Sequence, residues 1–161
     1  MGPRFLLDGM LGSLSRWLRI GGYDTEYMKD IPDDELIETA KMENRILLTR
    51  DDALVHRAHK RGVETIFIED EGDKEALRQL ATQLRLEYDP TRARCPKCNN
   101  VVDKVGKEEV CDRVPEGTYK VVDNYWVCPG CGSIYWRGSH WPRIVETLSG
   151  TGKGQVPSSS L

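Results

Sequence analysis

Over the first 90 residues the apolar positions alternate between two periods. Phe5-Leu6-Leu7 is a short apolar run ending at Asp8, the pattern of a buried strand. After Gly9, residues Met10, Leu11, Leu14, Trp17 and Leu18 recur at i, i+1, i+4, i+7 and i+8, one face of a helix. Ser15, Arg16 and Arg19 are predicted on its solvent side, and Gly21-Gly22 stops it. Asp24–Met28 predicts a second strand. Pro32 and the acids Asp33, Asp34 and Glu35 open a second helix, where the dipole favours negative charge, with Leu36, Ile37 and Ala40 on its buried side. A third strand, Arg45–Thr49, runs into Arg50-Asp51-Asp52, and a helix follows from about Asp52 to Arg61. Val63–Ile68 reads as a fourth strand and Lys74–Leu84 as a fourth helix, with Ala76, Leu77, Leu80, Ala81 and Leu84 facing the core. Four strand–helix alternations with short connections predict an α/β fold. Its parallel sheet has about four strands flanked by helices, with right-handed crossovers and the order 2-1-3-4.

The pattern breaks near residue 90. Asp89–Arg94 reads as a linker, dividing the chain into an α/β domain (1–90), a small β-rich module with a terminal helix (91–149) and a disordered tail (150–161) rich in Gly, Ser and Pro. The module opens on Cys95-Pro96-Lys97-Cys98 and carries a second pair, Cys128-Pro129-Gly130-Cys131, 29 residues further on. Each pair is followed by a turn residue, Asn99 or Gly132. Two such knuckles make a tetrathiolate cage, the closed site that structural zinc prefers, so Cys95, Cys98, Cys128 and Cys131 are predicted zinc ligands of a zinc ribbon. Two disulfides or a redox dithiol are the weaker alternative. Val101-Val102, Tyr119–Val122 and Tyr125–Val127 suit short antiparallel strands, and Trp141–Leu148 a closing helix.

Charge sharpens the division. Residues 1–90 hold 13 Lys and Arg against 19 Asp and Glu, whereas residues 91–161 hold 10 against 7. The acidic part suits metal-binding carboxylates and the basic part a polyanion. The fifth cysteine, Cys111, is expected to be a small buried residue. An odd thiol beside a zinc site argues for a reducing, cytoplasmic compartment. No apolar run reaches the roughly 18 residues of a membrane span. Nothing in the sequence sets the oligomeric state.

Ligands of open α/β sheets bind beyond the carboxyl ends of the strands, where the strand order reverses. With the order 2-1-3-4, Asp8 and Asp51 face each other across that point, with Asp33 and Asp34 near the same edge. Converging carboxylates suit Mg²⁺ or Mn²⁺, which can activate water against a phosphodiester. Asp33 and Asp51 also suit helix N-caps. Arg16, Arg19 and Arg50 are candidate phosphate contacts, with a solvated helix face as the alternative for the first two. His56 and His59 read as exposed polar residues. In the ribbon, Trp126, Tyr135, Trp136 and Trp141 lie among Arg137, His140 and Arg143, a mixture that suits stacking on single-stranded bases, although some of these rings must cover the zinc site. Arg137 and His140 are the candidate exposed contacts.

Several stretches carry a family resemblance. They are Leu7-Asp8-Gly9-Met10-Leu11-Gly12, Ser15–Arg19, Gly21-Gly22-Tyr23-Asp24, Asp33–Ala40, Arg45–Asp51, the two knuckles, and Tyr135–Trp141. Together they resemble the C-terminal RNase domain family of the mutator-seven exonuclease, over nearly the whole chain to about residue 148. The resemblance implies a PIN-like nuclease with an inbuilt zinc ribbon. It implies metal-binding acids at Asp8, at Asp33 or the adjacent Asp34, and at Asp51, and RNA as substrate; the ribosome or its rRNA is a separate candidate partner. The stretch between Asp8 and Asp33 is too short for the extra helix and acidic ligand of ordinary PIN domains, which leaves the number of metal ions open. The expected function is metal-dependent hydrolysis of RNA. The alternative is a non-catalytic RNA- or ribosome-binding module, and a third possibility is a toxin-like nuclease held by a partner.

Overall fold

In the computed structural model, which describes residues 2–150, buried aliphatic runs form the two central strands of four, and the mixed sequences Thr-Glu-Tyr and Thr-Ile-Phe form the two edge strands. The four are β1 (Phe5–Leu7), β2 (Thr25–Tyr27), β3 (Ile46–Thr49) and β4 (Thr65–Phe67), all parallel in the order β2-β1-β3-β4. The connections run through α1 (Gly12–Ile20), α2 (Asp33–Met42), α3 (Asp52–Lys60) and α4 (Asp73–Leu84). From β1 the chain moves outward to β2 and then returns past β1 to β3. The reversal therefore lies between β1 and β3, and the carboxyl ends of these two strands flank a crevice.

Successive strand residues point to opposite faces, and both faces are covered. Phe5, Leu7 and Leu48 share one core with Leu14 and Leu18 of α1 and Leu77 and Leu80 of α4. Leu6 and Leu47 share the other with Leu36, Ile37 and Ala40 of α2 and with Leu54 and Ala58 of α3. Burial on both faces is why β1 and β3 read as unbroken apolar runs.

The cysteine-bearing region forms a second, antiparallel sheet, in the order β5 (Asp103–Val105), β6 (Tyr125–Val127), β7 (Ile134–Tyr135). Two predicted strands here need correction. Tyr119–Val122 is largely helix α5 (Glu116–Val121), because Pro115 and Glu116 supply a helix start that outweighs the β-branched run. Val101 makes a single bridge to Arg94, and the strand begins only at Asp103. The closing helix α6 (Trp141–Ser149) returns to the first sheet, where Leu148 is buried in the α1–α4 core and Ile144 packs against it.

The first knuckle docks on edge strand β2, at the amino ends of the parallel strands. Asn99 adopts a left-handed φ of 72°. Its side-chain oxygen accepts from Thr25 N (2.9 Å), and its Nδ2 donates to Asp24 (2.7 Å) and Glu26 (3.1 Å). Arg19 contradicts the solvent-side expectation. It is buried, and its guanidinium donates to the carbonyls of Thr25 and Pro96, both at 2.8 Å. It follows Leu11 and Ser15 at four-residue steps, so the ribbon closes over that edge of α1 and carbonyls take the place of water. Cys111 is also corrected. It is exposed, and the neighbouring Val110 takes the buried position. The tail expected at 150–161 lies, from residue 151, outside the described residues. Among the described residues no helix is long and apolar enough to cross a membrane.

Candidate functional site

At the carboxyl edge, β1 delivers Asp8 and β3 delivers Thr49, Arg50 and Asp51. Asp8 is buried. Its two carboxylate oxygens accept from Thr49 Oγ1 (2.5 Å) and Met10 N (3.2 Å). No cationic side chain among the described residues pairs with it. Thr49 Oγ1 also accepts from Asp51 N (3.0 Å), so one hydroxyl joins the two acidic positions across the crevice. Asp51 caps α3, accepting from Ala53 N and Leu54 N. Its side chain is exposed.

The remaining acids are engaged elsewhere. Asp33 pairs with Arg57 (3.0 Å), and Asp34 with Arg57 and with Arg61 (3.2 Å). No three carboxylates among the described residues gather within 4.8 Å. The carboxylates at this edge nevertheless fit a hard cation. Magnesium keeps several waters and is held by one or two carboxylates plus substrate phosphates, not by an all-protein cage. Arg50 donates to the Glu71 carbonyl (3.0 Å), while its Nε is buried with no acceptor among the described residues. Arg16 is exposed on α1, and His56 and His59 are exposed on α3.

The four cysteines assemble as their spacing requires. Their sulfurs all lie within 4.8 Å of one another. Cys95 and Cys131 are 3.7 Å apart and Cys98 and Cys128 are 3.2 Å apart, so no disulfide joins them. A tetrahedron of sulfurs about 2.3 Å from zinc has edges of about 3.8 Å, so the thiols are set for that ion. The knuckles repeat one another. Cys95 N donates to Asn100 O (2.8 Å) and Asn99 N to Cys95 O (2.8 Å). Cys128 N donates to Ser133 O (2.9 Å) and Gly132 N to Cys128 O (2.8 Å). Gly132, like Asn99, has positive φ, here 76°. The Ser133 side chain and backbone draw the Cys131 thiol down to about 6, and hydrogen bonding from the Asn100 backbone and from Cys128 lowers Cys98. Both shifts favour the thiolate that binds metal, whereas burial pushes the Cys128 thiol up to about 11, so that ligand loses its proton only as the metal binds. Tyr135 Oη lies 3.0 Å from Cys95 Sγ and Asn100 Nδ2 donates to Cys98 Sγ (3.2 Å), a second layer that orients the ligands.

Fold, crevice and cysteine cage together correspond to one family model, that of the Mut7-C RNAse domain, which matches residues 3–148. The chain belongs to this family. Comparison with curated proteins and with solved structures finds no match. Membership of the Mut7-C RNAse domain family makes the chain a member of a ribonuclease family and makes RNA its substrate class.

Within this Mut7-C chain the structure brings Asp8, Arg50 and Asp51 to one edge and ties Asp33 and Asp34 to α3. Arg137 is half-buried, its guanidinium over the rings of Trp126 (5.1 Å) and Trp141 (4.9 Å), and His140 is exposed at the start of α6. Sequence reasoning missed Thr49, Arg57 and Asn99. The Thr-x-Asp end of β3 was a usable signal for Thr49, since a hydroxyl there reaches both neighbouring acids. The docking role of Asn99 had no local signal beyond its turn position.

Proposed function

We propose that the chain is a metal-dependent ribonuclease whose Asp8 and Asp51 hold Mg²⁺ or Mn²⁺ at the crevice between β1 and β3. The observation that carries this reading is Asp8, a buried carboxylate without a cationic partner among the described residues. Buried charges are paired or coordinate metals. Such an ion lowers the pKa of bound water and offsets charge on the phosphodiester. The chain's own residues do the rest. Thr49 fixes the Asp8 carboxylate and, through Asp51 N, the start of α3. Asp33 or Asp34 joins the site only on leaving Arg57. Arg50 and Arg16 contact phosphates near the acids, and Arg137 and His140 contact RNA at the ribbon. Arg19, committed to two carbonyls, orients the ribbon instead. The four cysteines hold a structural zinc, which has no open position for chemistry. The division at about residue 90 and a cytoplasmic setting belong to the same reading.

Asp8→Asn and Asp51→Asn test it. Asparagine is as good an N-cap as aspartate, so Asp51→Asn keeps the α3 cap while removing charge. Both variants should keep their zinc and their fold and lose Mn²⁺-dependent RNA cleavage by about a hundredfold or more. Equal cleavage by the variants and the parent overturns the proposal. The ion pairs of Asp33 and Asp34 with α3 favour a second reading, a non-catalytic RNA- or ribosome-binding module. It predicts salt-sensitive RNA binding that is unchanged by either substitution and no cleavage by the parent.

A further inference from the structure

A cavity of about 230 Å³ lies where the ribbon meets the amino end of the parallel sheet. Ile20 of α1, Ala93 of the linker, and Trp136, Trp141 and Ile144 supply much of its apolar lining. Pockets for drug-sized ligands run to roughly 300–1,000 Å³, so this one is sized for a single ring system. Among the described residues its charged lining is Arg94 and Arg137, both positive, so it is complementary to a polyanion. The Trp141 indole lines the cavity, and its Nε1 is buried with no acceptor among the described residues. A buried donor left unpaired is costly and is satisfied when a ligand brings an acceptor.

We infer that this cavity takes one unstacked nucleobase of the RNA, which inserts against the apolar lining while Trp141 Nε1 donates to a ring nitrogen or carbonyl. The inference rests on RNA being the substrate, and it adds where and how the chain is gripped. Every base offers an apolar π-face, so the site grips single strands without demanding a sequence. Its position also sets a path. On one side of α1 the half-buried Gly12, four residues after Asp8, and the exposed Arg16 lead to the half-buried Ile20 at the cavity. Eight residues of helix span about 12 Å. The gripped base is therefore displaced from the scissile phosphate, with Arg16 midway on the strand's route.

The test is binding of fluorescein-labelled RNA to the full zinc-loaded chain without added magnesium or manganese, so that cleavage does not enter. Hexaadenylate is compared with an abasic ribose-phosphate hexamer of the same charge. Hexaadenylate should bind about tenfold to a hundredfold more tightly. Ala93→Phe, which fills the cavity, should reduce adenylate binding to the abasic level. Trp141→Phe, which keeps a ring but removes the donor, should weaken it several-fold. Zinc content and melting temperature report folding, and Thr91→Phe at the rim provides the same block if Ala93→Phe does not hold zinc. If the two hexamers bind equally, the base site is overturned while RNA binding through phosphates stands. A preference for bases that survives both filling variants overturns it too, because the stacking then lies elsewhere. If neither hexamer binds, the base site and the RNA-binding role given to the ribbon fall together.

Discussion

The parallel sheet and the cysteine ribbon touch along one edge but are held by different forces. The sheet region buries over twenty apolar side chains in two cores, one per face. Past Arg94, the buried apolar residues among those described are Cys95, Val110, Tyr125, Cys128 and Leu148, and Leu148 belongs to the core of the other region. A segment with so little apolar burial cannot offset the entropy of ordering its backbone. Its stability therefore has to come from the sulfurs. A region stabilised by area tolerates the loss of one contact, whereas a region stabilised by four bonds to one ion does not.

The most severe way to break this comparison is to remove the metal. Chelation, or Cys128→Ser, should unfold the ribbon, since structural zinc supplies on the order of 10 kcal/mol to small modules. Hydrogen exchange should then show lost protection in β5, β6 and β7 with β1 and β3 still protected. Simultaneous loss in both regions would show that they are one cooperative unit. Next in size, Leu47→Ala should cost about 2–5 kcal/mol by denaturant melting and leave zinc affinity unchanged. Asn99→Ala removes three hydrogen bonds at the joint between the regions, two of them to carboxylates, and should cost about 1–3 kcal/mol. It should also raise protease sensitivity near Arg94 without releasing zinc.

The smallest effect is a pH dependence. Burial disfavours the Asp24 carboxylate, but hydrogen bonds from Arg45 and Asn99, the Arg45 charge and Arg4 outweigh it and hold the pKa at about 2. A carboxyl group depressed in the folded state stabilises it above the unfolded value of about 4. That contribution is lost as pH falls from about 4 toward 2. Asp24→Asn should be less stable at neutral pH and show a shallower loss across this acid window, and an unchanged slope would remove Asp24 from the joint.

The same contrast explains what could be read from sequence. Strand order, crevice and most helix faces were legible because each depends on local periodicity and on short connections, but at α1 Ser15, expected toward solvent, is buried and Met10, expected on the apolar face, is exposed. The cysteine cage was legible because sulfur spacing is itself the structure. Arg19 was misplaced because its burial is created by a carbonyl 77 residues away, at Pro96. Tyr119–Val122 was misread as strand because a short β-branched run gives no period, and the helix start at Pro115-Glu116 decided it. The pairing of Asp33 and Asp34 with Arg57 depends on how α2 and α3 lie against each other, which neither helix encodes alone.

The return of α6 to the first core has a further consequence. The chain leaves the parallel sheet near Asp89 and is anchored to it again at Ile144 and Leu148, so the ribbon is a loop pinned at both ends. A metal-free ribbon cannot drift away, and its two knuckles remain within a confined volume. The entropy of closing such a loop grows only as the logarithm of its length. Regathering the four sulfurs is thus a local, unimolecular step, only the encounter with zinc depends on concentration, and the sheet acts as the jig on which the cage is rebuilt.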